Sequence, residues 1–216
     1  VDRTVVVANA PFRWAPEFVA LARAARYLVA ADGGANHLAR IGLRPHAVVG
    51  DLDSLLPSVR AWVGEERVVE RPDQDTTDLH KALVYAVEEL GAGALSVLAA
   101  TGGRLDHALE NLALLGRFCQ RVALEFVDET ARIVPVVAAA RFQTQPGQTI
   151  SLLPLGRCEG VSTEGLHWPL GGEVLDLLER TGVSNRATAQ VVQVQVERGT
   201  LLVFLHHTAG AALASW

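Results

Sequence analysis

The chain has 216 residues, 50% of them hydrophobic, and a net charge of −5. That length fits one large or two small domains with a sizeable core, and the acidic balance argues against a nucleic-acid binder or a protein of anionic membrane surfaces. No apolar run approaches the ~20 residues of a membrane span, the start "VDRTVVVANAPF" carries no secretory signal pattern, and Cys119 and Cys158 lack ligand-type spacing, which fits a reduced, cytoplasmic protein.

In chain order, "TVVVANA" (4–10) reads as a buried strand, 16–26 as a helix, "YLVAA" (27–31) as a second strand and 34–42 as a helix stopped by Gly42. "HAVVG" (46–50) is a third strand. Residues 76–90 place Leu79, Ala82, Leu83, Ala86, Val87 and Leu90 on one helical face, "ALSVLAA" (94–100) is another strand, and 104–118 another helix. Alternating strands and helices predict a Rossmann-like parallel sheet covered by helices. Near residue 130 the pattern changes. In "AQVVQVQVERGTLLVFLHH", Val192, Val194 and Val196 alternate with Gln193, Gln195 and Glu197, and "ERGT" turns the chain into another strand. The period of two predicts an antiparallel β-sandwich or barrel. The expected division is an α/β domain over 1–130 and a β domain over 131–216.

Polar motifs cluster where an open parallel sheet binds ligands, beyond the carboxyl ends of its strands. "YLVAA" runs into Asp32-Gly33-Gly34-Ala35-Asn36, "HAVVG" into Asp51-Leu52-Asp53-Ser54, and "ALSVLAA" into Thr101-Gly102-Gly103-Arg104, then Asp106 and His107. Gly pairs let backbone N–H groups approach a phosphate at a helix start, although singly they only make turns. The Asp51-x-Asp53 pair suits Mg²⁺, which takes carboxylates, waters and phosphate oxygens; alone, such a pair also caps helices. In "RPDQDTTDLHKAL", Asp78 and Lys81 are neighbours at i, i+3. Of 19 lysines and arginines, Lys81 is the sole lysine. Arg104, His107 and Asn111 fall within ~60° of one another on their helix, with Leu105, Ala108, Leu109 and Leu112 expected to pack on the adjoining face.

The remaining motifs exclude familiar chemistries. No Gly-Lys-Ser/Thr makes a Walker A loop, no G-x-G-x-x-G opens a helix after a strand, the histidines have no zinc spacing, and there is no G-x-S-x-G elbow. What is left is an acid-rich, Mg²⁺-using phosphate site with Arg104 and Lys81 as its cations.

"DGGANHL", "VVGDLDS", "DQDTTDLHKAL" and "TGGRLDHALENLALL" resemble, in order, the signature segments of thiamine pyrophosphokinase, and "ISLLPLG", "GVSTEGLHWPL" and "GVSNRA" resemble that family's β-sandwich segments. Leu52 stands where many members have Phe, and Gln74 where many bacterial members have Lys. The resemblance implies a homodimer with a site shared between chains, ATP and thiamine as substrates, and AMP and thiamine diphosphate as products. It implies Asp51, Asp53 and Asp78 as magnesium ligands. Asp32, Gly33, Gly34, Asn36, Gln74, Asp75, Thr77, Lys81, Thr101, Gly102, Gly103 and Arg104 fall on the nucleotide side, and Trp168, Ser184 and Asn185 in the thiamine pocket. Asp51, Asp78, Arg104 and Asp106 are the candidate catalytic residues. Asp78, Asp106 and water all stand as candidate bases. Thiamine is a cation with a flat aminopyrimidine, so an indole face offers stacking and cation–π attraction of roughly 0.5–2 kcal/mol. Two other classes remain. One is a haloacid-dehalogenase-type phosphohydrolase with Asp51 as nucleophile, although that motif belongs on a first strand. The other is a non-catalytic thiamine-binding module, which would not require the acid cluster.

Overall fold

Runs of valine and alanine form the strands of the first half, because branched side chains pack well on a pleated surface buried on both faces. In this computed structural model, which describes residues 3–208, six of them pair in parallel: Thr4–Val7 (β1), Tyr27–Ala31 (β2), Ala47–Gly50 (β3), Val68–Glu70 (β4), Ala94–Leu98 (β5) and Ala123–Val127 (β6). Their order, β6-β5-β1-β2-β3-β4, turns back between β1 and β5. That reversal makes a crevice at the carboxyl ends of the strands, the usual ligand position of such sheets. Helices Pro16–Arg23 (α1), Gly34–Arg40 (α2), Pro57–Val63 (α3), Asp78–Glu88 (α4) and Leu105–Phe118 (α5) connect them.

The described residues divide into two compact units, one of 3–114 and 120–128, the other of 115–119 and 129–208. The second unit holds two antiparallel sheets. One has the order β12-β9-β14-β7 and the other β11-β10-β13-β8. Their strands are Ala131–Val136 (β7), Ala139–Gln143 (β8), Thr149–Pro154 (β9), Arg157–Glu164 (β10), Gly171–Asp176 (β11), Gly182–Arg186 (β12), Val191–Gln195 (β13) and Leu201–His206 (β14). Val192, Val194, Val196, Ile150, Leu152, Leu201 and Val203 meet in one core, as expected of a sandwich. Buried Cys158 is part of that core.

Several details depart from the sequence reading. "ERGT" carries the chain from one sheet to the other, since β13 pairs with β8 and β10, and β14 with β7 and β9. Gly199 makes this crossing possible: its φ is 103°, and a Cβ there would lie 2.6 Å from the Arg157 carbonyl oxygen. β4, β6 and α3 were not anticipated. β4 is only 3 residues long, and β6 is interrupted in sequence by Glu125, which is buried against Ser96 and Arg3. On α5 the expected apolar stripe is covered only in part: Ala108 is buried and Leu112 half-buried, but Leu105 is 82% and Leu109 64% exposed, and the buried face runs on through Asn111, Leu114, Leu115 and Phe118.

Candidate active site

β2 and β3 are neighbours with Ala31 opposite Val49, so the residues that follow each strand emerge side by side. Asp32 leaves β2 at φ 42°, a left-handed conformation that Asp tolerates better than most residues. Its carboxylate is turned inward and the residue is 2% exposed. Oδ2 accepts from the Ser54 N–H at 3.0 Å, whereas Oδ1 is buried without a hydrogen-bond partner. Burial pushes the Asp32 pKa up to about 6. The charges of Asp78 and Asp53 add to the rise, and the Ser54 N–H opposes it.

Asp51 follows Gly50 at the end of β3. Its Oδ1 accepts from the Asp53 N–H at 3.2 Å and its Oδ2 from the Gln74 amide at 3.0 Å. The Gln74 bond is the main reason the Asp51 carboxyl is held below the usual carboxylate range. Asp78 opens α4, whose amino end is capped by the Thr77 hydroxyl accepting from the His80 N–H at 3.3 Å. Asp78 Oδ1 accepts from the Asp51 N–H at 3.2 Å and lies 3.4 Å from the Lys81 ammonium. Lys81 is 7% exposed and sits on the buried face of α4 among Leu79, Ala82, Leu83 and Ala86.

One carboxylate oxygen from each of Asp32, Asp51 and Asp78 lies within 4.8 Å of the others. A Cβ on Gly50 would lie 2.8 Å from Asp32 Cβ and 2.9 Å from Asp78 Oδ1, so glycine keeps this cradle open. The donor set is all oxygen, one buried oxygen is orphaned, and the single Lys81 ammonium stands against three carboxylates. These features fit a hard divalent cation such as Mg²⁺. The group differs from the expected Asp51, Asp53 and Asp78. Leu52 has φ 69°, and beyond that turn the exposed Asp53 carboxylate accepts from its neighbour Ser54 Oγ at 2.9 Å and is not part of the cluster.

Other expected ligand residues have their polar atoms committed to the scaffold. The Asn36 amide donates to the Ser54 carbonyl at 2.8 Å and accepts from the Leu56 N–H at 3.2 Å, tying down the loop after Asp51. Thr101 Oγ1 donates to Asp128 at 2.8 Å, and buried Asn111 donates to the Ala100 carbonyl at 2.8 Å, so Asn111 fixes the loop after β5 and is not presented with His107. The glycines also have packing reasons. A Cβ on Gly34 would come within 2.1 Å of the Val7 carbonyl oxygen, one on Gly33 within 2.2 Å of the Asn9 amide, and one on Gly102 within 2.5 Å of the Pro11 carbonyl oxygen. Gly103 turns the chain at φ 74°. Asp75 is exposed. Arg104 and Asp106 form an exposed two-point pair, Nε to Oδ1 at 3.2 Å and a second nitrogen to Oδ2 at 2.5 Å. That pairing lowers the Asp106 pKa to about 2.

In the second unit, Trp168 stands 56% exposed with His167 edge-on to its ring at 4.5 Å. Ser184 has φ 60° and an exposed side chain, while Asn185 is 5% exposed and hydrogen-bonded to the backbone of Trp168. Sequence reasoning placed Asp32 with the nucleotide and missed Gly50. Both follow only from knowing that β2 and β3 are adjacent.

Two family profiles match the chain: "Thiamin pyrophosphokinase, catalytic domain" over residues 18–126 and "Thiamin pyrophosphokinase, vitamin B1 binding domain" over residues 140–201. Thiamine pyrophosphokinase 1 of Oryza sativa subsp. japonica is 31% identical over 198 residues, covering 79% of this chain and 75% of its own. The crystal structure of thiamine pyrophosphokinase from Bacillus subtilis superposes with a TM-score of 0.82 at 21% identity, covering 96% of this chain and 100% of that one. The yeast thiamin pyrophosphokinase structure gives 0.82 at 18% identity, covering 95% and 86%. At these identities the two structures speak for the fold, and the profiles and the rice relative for the family. The chain belongs to the thiamine pyrophosphokinase family.

Proposed function

We propose that this chain transfers the pyrophosphoryl group of ATP to the hydroxyl of thiamine, giving AMP and thiamine diphosphate. The thiamine oxygen forms a bond to the β-phosphorus, the bond from that phosphorus to the oxygen retained by AMP breaks, and the hydroxyl proton is lost. The reading rests on family membership. The observation that carries its chemistry is the group of Asp32, Asp51 and Asp78, with one buried carboxylate oxygen unpartnered. Held by these three acids, Mg²⁺ would neutralise the negative charge of the transferring group. Gln74 and the Asp53 N–H fix both oxygens of Asp51, and Lys81 with the Asp51 N–H fixes Asp78. The Arg104 side chain, 72% exposed at the start of α5, is free to exchange Asp106 for a phosphate oxygen. Asp75 and the 101–104 loop are assigned to the nucleotide side on the family pattern. Trp168 stacks on the thiamine pyrimidine, and the exposed Ser184 hydroxyl hydrogen-bonds it. The active form is a homodimer in which one chain supplies the acids and the other Trp168.

The phosphohydrolase alternative expects its Asp-x-Asp motif at the end of the first strand, and Asp51 follows β3. Incubating the protein with ATP, Mg²⁺ and thiamine tests the assignment: AMP should appear only when thiamine is present. Phosphate release without thiamine would overturn it.

A further inference from the structure

The family resemblance implies Asn185 in the thiamine pocket, and its side chain is hydrogen-bonded to the backbone of Trp168 and Arg186. Segments 165–168 and 185–188 run antiparallel: the Thr188 N–H donates to the Gly165 carbonyl at 2.8 Å, Leu166 bridges Ala187, and the His167 N–H donates to the Arg186 carbonyl at 2.8 Å. The next pair, Trp168 and Asn185, falls at a position where an antiparallel ladder makes no backbone bonds of its own. The Asn185 amide takes over. Its Oδ1 accepts from the Trp168 N–H at 3.1 Å, and its Nδ2 donates to the Trp168 carbonyl at 2.7 Å. Oδ1 also accepts from the Arg186 N–H at 2.8 Å, which uses both of its lone pairs. The side-chain amide therefore acts as a substitute peptide group, closing a two-bond ring on Trp168. The residue is 5% exposed, whereas Trp168 is 56% exposed. An exposed indole with no other restraint on its backbone would lose a stacking ligand to its own motion; a ladder that ends in a ring on its peptide groups prevents that.

We propose that Asn185 is a positioning residue that serves thiamine through Trp168, presenting the indole by holding the Trp168 backbone. This rests on the reading of Trp168 as the thiamine platform. Both Oδ1 lone pairs and one Nδ2 hydrogen of this 5% exposed amide are committed to backbone groups of Trp168 and Arg186.

The test is a double-mutant cycle on the full-length enzyme at saturating ATP and Mg²⁺. Asn185→Ala should raise the thiamine KM about tenfold and leave the ATP KM within about twofold. In a Trp168→Ala background the same change should shift the thiamine KM by less than about twofold. Multiplying effects, an unchanged thiamine KM for Asn185→Ala, or an equal rise in the ATP KM would each overturn the proposal. If Asn185→Ala does not fold, Asn185→Asp replaces it in the cycle. That variant keeps both N–H acceptances and turns the donation to the Trp168 carbonyl into a contact between two acceptor oxygens, and it should raise the thiamine KM at least threefold, again only when Trp168 is present. Fluorine NMR of 5-fluorotryptophan-labelled protein, with Trp168 assigned through Trp168→Phe, reads the lock without substrate. The Trp168 resonance should shift or broaden in the Asn185 variant, and an unmoved resonance would overturn the lock. Normal thiamine kinetics in Trp168→Ala would instead refute the platform reading itself, whatever the NMR shows.

Discussion

Replacing Asp32 by Asn should make the metal-free protein more stable while destroying its response to metal. The buried Asp32 carboxyl has its pKa raised from 3.8 to about 6, chiefly by burial. An acid whose folded-state pKa lies above its unfolded value binds its proton more tightly in the folded state. Its contribution to stability therefore falls as pH rises from about 4 to about 6 and stays low above that. At 1.36 kcal/mol per pKa unit, a rise of about two units corresponds to an upper figure of ~3 kcal/mol at pH 7.5, and partial solvent relaxation leaves about 1–3 kcal/mol. Asn suits the position in every other respect. It tolerates the φ of 42°, its Oδ1 can accept from the Ser54 N–H, and its Nδ2 would face the neighbouring carboxylates of Asp51 and Asp78. In EDTA at pH 7.5, Asp32→Asn should raise the Tm by at least about 2 °C, because 1 kcal/mol shifts a chain of this length by roughly 2–4 °C. Mg²⁺ should then stabilise the wild type and leave the variant nearly unmoved. Scanning calorimetry of both proteins with and without Mg²⁺ at pH 7.5, repeated at pH 4.5 where the wild-type penalty is largely relieved, supplies the eight melting temperatures. A variant less stable than wild type in EDTA, or stabilised equally by Mg²⁺, would refute the reasoning.

Further outcomes follow from the same geometry. Asp78→Asn should lower kcat at least about a hundredfold, the loss of ~2.7 kcal/mol expected when charge facing the transferring group is removed, with an unchanged circular dichroism spectrum; retention of more than about a tenth of the activity would reject Asp78 as a ligand. Lys81→Arg forces a larger, planar cation into a place that is 7% exposed, so urea unfolding should show a loss of about 1–3 kcal/mol and steady-state kinetics a raised ATP KM at constant thiamine KM. Co-refolding equal amounts of Asp51→Asn and Trp168→Ala chains, the first inactive and the second nearly so at low thiamine, should restore roughly a quarter of wild-type activity in a low-thiamine assay, since half the dimers are mixed and each mixed dimer has one intact site. No recovery, with mixed dimers confirmed by mass, would rule out the shared site.

The fold class was legible because its signals are periodic. Valine runs ended by Asp and Gly marked the β2 and β3 termini, and the Val192/Val194/Val196 alternation marked a sandwich strand. The composition of the acid cluster was less legible. Asp51-x-Asp53 is a local pattern, whereas Asp32 joins Asp51 only through the register of β2 on β3, and Leu52 in the left-handed region separates Asp53 from the cluster. Amide and hydroxyl residues were the least legible. Asn36, Gln74, Thr77 and Asn185 all stand in the expected segments, and each makes a hydrogen bond to the loop, carboxylate, helix end or indole-bearing residue beside it. A sequence gives the residue type of an amide and not the direction it faces. The α5 stripe held only in part for a related reason, since periodicity shows that a face is apolar and not that anything covers it. The lone lysine, Lys81, is buried beside Asp78, which is the ground for expecting that an arginine would not fit there.

The most direct measurement of the central claim follows the phosphorus atoms. ATP labelled at its β-phosphate is incubated with the protein, Mg²⁺ and thiamine, and the products are separated and weighed by mass spectrometry. Transfer of the intact pyrophosphoryl group predicts that all of the label moves into thiamine diphosphate and that unlabelled AMP forms in equal amount. Label retained in ADP, with thiamine monophosphate or free phosphate as the other product, would contradict it.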